Sequence, residues 1–96
     1  MNKEDIIKII ENSMPQLREQ FHVKDIGLFG SFVRGEHTDV SDVDIVVEFE
    51  SPIGFFDFIR LETFLSNALQ RRVDLVTKRA IKASIKEETL KETIYV

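Results

Sequence analysis

The chain has 96 residues, a net charge of −4 and no cysteine. That length supports one hydrophobic core and not two, and without cysteine neither a disulfide framework nor a thiolate zinc site is available. No apolar run approaches the ~20 residues of a membrane span, and the N-terminus lacks a signal-peptide layout. The acidic balance argues against a large, sequence-independent grip on nucleic acid, which draws on many Lys and Arg contacts to phosphate. The expectation is one soluble, cytoplasmic domain over residues 1–96. A small anionic ligand that arrives with its own metal remains admissible.

Asn2 is the expected N-cap of a first helix, with Glu4 and Asp5 where the helix dipole favours them. Ile6, Ile7, Ile10, Met14 and Leu17 then recur at helical spacing. Pro15 fits a helix interior badly, so the segment to Phe21 reads as two short helices, with Ser13 as a new N-cap, or as one kinked helix. His22 reads as a loop residue.

Val23 to Phe29 alternates as a strand, Ile26 and Leu28 against Asp25, Gly27 and Phe29. Gly30 ends it. Ser31 is the expected cap of a single helical turn, Phe32 to Arg34, closed by Gly35. A polar loop to Ser41 leads into a second strand, Asp42 to Phe49.

Ser51 or Pro52 is expected to open the next helix. Phe55, Phe56, Ile59, Phe64 and Leu65 form its stripe, broadened by Phe58, Leu61 and Leu69. That face is wide for one core, and part of it suits a partner. A third strand spans Arg72 to Thr77, with Val73 and Leu75 on one side and Asp74 and Val76 on the other. Lys78 to Glu92 reads as mostly helical, with Ile81, Ile85 and Leu90 inward, before a short strand at Ile94 to Val96. Arg71-Arg72 and Lys78-Arg79 read as a solvated rim, and His37 and Tyr95 as loop and packing residues.

The chemistry concentrates between Phe29 and Phe49. A Gly-Ser pair at a strand end suits an anion: Gly30 lets a phosphate approach the backbone, and Ser31 with the free N–H groups of the turn donates to it. Arg34 adds a planar fork for phosphate oxygens. After Ser31 and ten intervening residues come Asp42 and Asp44, which share one strand face with Cα atoms roughly 6.6 Å apart. Two such charges repel by about 2.5 kcal/mol at an effective dielectric near 20, and by about 0.6 in open water. A half-buried Asp-x-Asp therefore wants a cation. With Asp74, three carboxylates make the oxygen-rich set suited to Mg²⁺. Two such ions, about 3.5–4 Å apart, would clamp an in-line phosphoryl transfer. Asp42 and Asp44 would bridge them, and Asp74 would hold one metal or accept the nucleophile's proton.

Gly30-Ser31, ten residues, then Asp42-Val43-Asp44 resembles the signature of the polymerase beta-like nucleotidyltransferase superfamily. The wider context, GSFVRG, SDVDIVVEF and VDLVT, is similar to the minimal nucleotidyltransferases, the MNT or MntA-type proteins, over most of the chain. The resemblance implies an α/β (α+β) fold: a small mixed sheet, helices on one face, the active site on the other. It assigns Gly30, Ser31 and Arg34 to nucleotide binding, and Asp42, Asp44 and Asp74 to metal and catalysis. It further implies an antitoxin that uses ATP and Mg²⁺ to place AMP on a tyrosine of a helical HEPN ribonuclease toxin. Two other readings stay open: an antitoxin that neutralises its partner by binding alone, and a transferase acting on a small hydroxyl compound. Whether the chain forms homo- or hetero-oligomers is also open.

Overall fold

Strand alternation decides the architecture. The computed structural model describes residues 1–83 and 87–96. In order these form α1 (Lys3–Phe21), β1 (Val23–Phe29), α2 (Ser31–Arg34), β2 (Val43–Phe49), α3 (Phe55–Leu69), β3 (Val73–Thr77), α4 (Lys78–Ala83), α5 (Glu87–Glu92) and β4 (Ile94–Tyr95). The sheet order is β3-β2-β1-β4. β1 pairs antiparallel with both β2 and β4, and β2 pairs parallel with β3, so the sheet is mixed.

One face carries Ile26, Leu28, Val43, Ile45, Val47, Val73 and Leu75, all buried, under α1 and α3. The opposite face carries Phe29, Asp44 and Asp74 on a single cross-strand row, since Phe29 pairs with Asp44 and Asp44 with Asp74. The expected mixed sheet with a helical layer on one face is therefore present. In addition, the short α4 and α5 pack against β1, β2 and β3. Ile81 is buried and Leu90 half-buried, while Ile85 lies outside the described residues. Among the described residues no helix is long and apolar enough to cross a membrane.

Three boundaries settle or correct an expectation. First, of the two expected alternatives it is the single helix that forms, α1 running 19 residues to Phe21 with Pro15 inside it. Ser13 is no N-cap; its hydroxyl donates to the Ile9 carbonyl at 3.0 Å. An interior proline costs about 3 kcal/mol. Ile6, Ile10, Met14, Leu17 and Phe21 are all buried on one continuous stripe, each stabilising by about 1.5–3 kcal/mol. Breaking the helix at Pro15 would misdirect either half of that stripe, so packing overrides the local preference.

Second, α3 starts at Phe55, with Gly54 as an N-cap that makes no side-chain bond. Its core residues are Leu61, Leu65 and Leu69, while Phe55 is 72% and Phe56 80% exposed, and Ile59 is exposed as well. The expected stripe was thus displaced around the helix: the leucine repeat faces the sheet and the leading phenylalanines face outward. Third, α2 begins at Ser31 itself, and Gly30 takes the capping position.

Pro15 is exposed, so its replacement should relieve the ring clash without opening a cavity. Pro15→Ala is expected to stabilise the fold by about 1 kcal/mol or more, raising Tm by roughly 4–8 °C in thermal unfolding. A lowered Tm would show that the ring itself is part of the packing.

Candidate active site

Asp44 begins the site. It is the second residue of β2, and its neighbours Val43 and Ile45 are fixed in the core, so its side chain must leave by the opposite face. There it meets Gly30. A Cβ on Gly30 would collide with the Asp44 carboxylate, and Gly30 holds φ +78°. An L side chain at that φ costs about 1–2 kcal/mol before the collision is counted. Glycine is therefore required twice over at the end of β1.

The Asp44 carboxylate accepts the Ser31 backbone N–H. Its pKa nonetheless rises above the ordinary carboxyl value. Burial is the largest cause, followed by the charges of Asp74 and then Asp42, with Arg34 and the Ser31 bond pulling the other way. The two neighbouring acids are thus close enough to be felt. Asp42 lies one residue before β2, exposed, with Val43 N–H donating to the Arg72 carbonyl at 2.9 Å beside it. Asp74 is level with Asp44 in the parallel register and exposed. All three expected acids therefore lie on one side of the sheet at one end of β2 and β3.

Their chemistry suits a divalent cation: three oxygen donors, one of them half-buried and repelled by the other two. Among the described residues, however, no three acidic or histidine side chains are drawn together tightly enough to hold an ion. The Asp44 carboxylate is turned toward Gly30 and Ser31.

The turn itself corrects one expectation. Four of its backbone donors, those of Gly30, Ser31, Val33 and Arg34, are engaged. Gly30 N–H donates to Glu92 Oε1 at 3.3 Å, and Ser31 N–H is taken by Asp44. Val33 and Arg34 N–H both return to the Gly30 carbonyl. Ser31 is half-buried, and among the described residues no bond engages its hydroxyl. Arg34 is exposed; its Nε donates to Glu36 at 2.6 Å and its Nη1 to Glu92 at 2.9 Å. The bond to Glu36 first, and that to Glu92 second, raise its pKa still further.

Arg71, read as a solvated rim residue, and the loop residue His37 both make contacts with the core. Arg71 is no solvated rim residue. Its Nη1 donates to the Asp39 and Ser41 carbonyls, both at 3.2 Å, and its guanidinium lies 5.2 Å from the Phe32 ring centre. It therefore ties the loop that delivers Asp42 to the core. His37 stacks on Phe32 at 4.1 Å, and its Nδ1 is enclosed without a hydrogen-bond partner. A groove of about 340 Å³ opens beside Asp42, lined by Asp39, Ser41, Gln70, Arg71 and Arg72 among others. A second, of about 430 Å³, lies at the far ends of β2 and β3, near Glu50 and Thr77 and away from these acids.

The mixed sheet with its helical layer is the fold of a nucleotidyltransferase domain. The nucleotidyltransferase-domain family model matches residues 7–96, and the chain belongs to that family. Within it the chain is of the minimal, MntA type. The protein adenylyltransferase MntA of Thermococcus cleftensis is 46% identical over 93 residues, covering 97% of this chain and 94% of the relative. A solved structure assigned as a minimal nucleotidyltransferase superposes with a TM-score of 0.78 at 31% identity, covering 98% of this chain and 95% of that one. A toxin–antitoxin crystal structure with AMP-PNP superposes at 0.70 and 26% identity, covering 99% and 72%.

The raised pKa of Asp44 carries a sign. A carboxyl whose folded-state pKa lies above its unfolded value weakens the fold when ionised, and that penalty fades as pH falls through the raised value. Asp44→Asn is therefore expected to be more stable than wild type at pH 7. The gap should close toward acid pH in urea unfolding of the two proteins. A variant less stable than wild type at pH 7 would contradict the assigned cause.

Proposed function

We propose that this enzyme transfers AMP from ATP to a tyrosine hydroxyl of a partner HEPN-type toxin, and so acts as its antitoxin. The in-register pair Asp44 and Asp74, set beside the Gly30-Ser31 turn, is the observation that carries this reading. The similarity to a protein adenylyltransferase and to a toxin–antitoxin complex with AMP-PNP supports it. The exposed apolar start of α3, at Phe55 and Phe56, supports a protein partner.

In this mechanism Ser31 Oγ and Arg34 bind the triphosphate, Arg34 through the guanidinium N–H groups left over after its two glutamate bonds. Asp42, Asp44 and Asp74 would hold Mg²⁺, two ions in our reading. Bound there, the metal supplies charge neutralisation at the phosphate oxygens and lowers the barrier to in-line displacement. A bond forms from the acceptor oxygen to the α-phosphorus, the bond from that phosphorus to pyrophosphate breaks, and the hydroxyl proton leaves. Asp74, the solvent-facing member of the pair, would hold one of the ions or take that proton. Arg71, holding the loop at two carbonyls, keeps Asp42 in place.

Neutralisation by binding alone is the second reading, favoured by the loose arrangement of the three acids. One experiment separates the two. Incubation with labelled ATP, Mg²⁺ and a HEPN-type toxin protein should place label on that protein. Asp44→Asn should lower the rate by a hundredfold or more, the scale of losing a group that acts on transition-state charge. Absence of transfer, with Asp42→Ala and Asp44→Ala still neutralising the toxin in a stable complex, would establish the binding-only reading instead.

A further inference from the structure

The C-terminal end of the chain reaches into the turn. Glu92 Oε1 is the shared acceptor of two donors 62 and 58 residues earlier, Gly30 N–H and Arg34 Nη1. Glu92 closes α5, where Thr93 N–H returns to the Leu90 carbonyl and Thr93 Oγ1 donates to Thr89 O at 2.7 Å. Beyond it, β4 is pinned to β1: Leu28 pairs with Ile94, Gly27 with Tyr95, and Val96 N–H donates to the Ile26 carbonyl at 2.9 Å. Gly27 permits this closeness, because a Cβ there would lie 2.6 Å from the Thr93 methyl and 3.2 Å from the Ile94 carbonyl. The glutamate is therefore held from both sides, with its side chain about a quarter exposed (27%).

Two functions are physically open to a carboxylate in this position. It could stand in for a phosphate and be expelled by nucleotide, or it could orient the arginine. The bond pattern decides. Glu36 takes the Arg34 Nε and Glu92 takes one Nη1 hydrogen, which fixes the guanidinium plane and leaves the Nη2 donors unengaged among the described residues. Arg34 between Glu36 and Glu92 leaves the cluster one net negative charge, a repulsion toward a triphosphate that solvent and salt screen at this largely exposed site, whereas an untethered arginine regains its rotamer freedom.

We propose that Glu92 is a positioning residue: it presents Arg34 to the nucleotide's phosphates and locks the Gly30 turn to the terminal strand. This rests on the nucleotide-binding reading above. It makes the last ten residues part of the nucleotide site rather than an edge of the scaffold.

The test is a double-mutant cycle on the full chain, with MgATP affinity measured by calorimetry and Tm recorded for each variant. Glu92→Ala should weaken MgATP binding roughly tenfold, the scale of one hydrogen bond to a charged group. Glu92→Gln, which keeps the acceptor oxygen, should recover most of that loss. In an Arg34→Ala background the Glu92→Ala change should cost less than about twofold. Tighter MgATP binding by Glu92→Ala would overturn the proposal in favour of an expelled carboxylate. Equal losses with and without Arg34 would also overturn it, as would unrescued loss tracking a lowered Tm. Wild-type protein that binds no MgATP would overturn the nucleotide reading itself, and this inference with it.

Discussion

Everything about this domain turns on one crowded carboxylate. Asp44 lies at the start of β2 with its charge half out of water, faced by Asp74 across the parallel register and by Asp42 two residues before it. Neighbouring acids at this spacing repel at the scale of a few kcal/mol when partly buried. A fold that keeps them together carries that cost in its ligand-free state, a common stability–function trade at catalytic sites. The backbone answers locally: a residue without a side chain, Gly30, lets the carboxylate settle against it, and the next N–H, that of Ser31, donates to it. Binding of a cation would relieve the repulsion that the protein alone leaves standing.

The rest of the structure reads as support for that arrangement. The α1–α3 layer buries Val43, Ile45, Val73 and Leu75, and so forces Asp44 and Asp74 to the opposite face. The loop before Asp42 is held from the side by Arg71, whose own position depends on the Phe32 ring beneath it. The C-terminal segment completes the turn from the other direction through Glu92. The placement of these acids and of the turn is thus referred to three separate pieces of the core, which would suit chemistry sensitive to displacements of an ångström.

Much of this was legible in the sequence because the relevant physics is local. Strand alternation placed Asp42 and Asp44 opposite the valines and isoleucines, and the same rule placed Asp74 opposite Val73 and Leu75. Gly30 before Ser31 announced a turn. What could not be read locally depends on tertiary contact. Pro15 argued for a break that five buried side chains overrule. The phenylalanines opening α3 advertised a core face, yet the leucine repeat at Leu61, Leu65 and Leu69 won it, because those residues lie where the sheet is. Arg71 looked like a solvated charge, and its carbonyl partners lie about thirty residues away. Glu92 gave no signal at all, being one acid among several in a polar stretch. Its role follows only from β4 returning beside β1.

The central claim is that Asp42, Asp44 and Asp74 form one cation-binding group beside the nucleotide turn. A crystal of the protein soaked with Mn²⁺ and a non-hydrolysable ATP analogue, examined by anomalous diffraction, addresses it most directly. The account requires metal density between these three side chains, with the phosphates of the analogue reaching Ser31 and Arg34. Metal density elsewhere, or phosphates bound away from the turn, would contradict it.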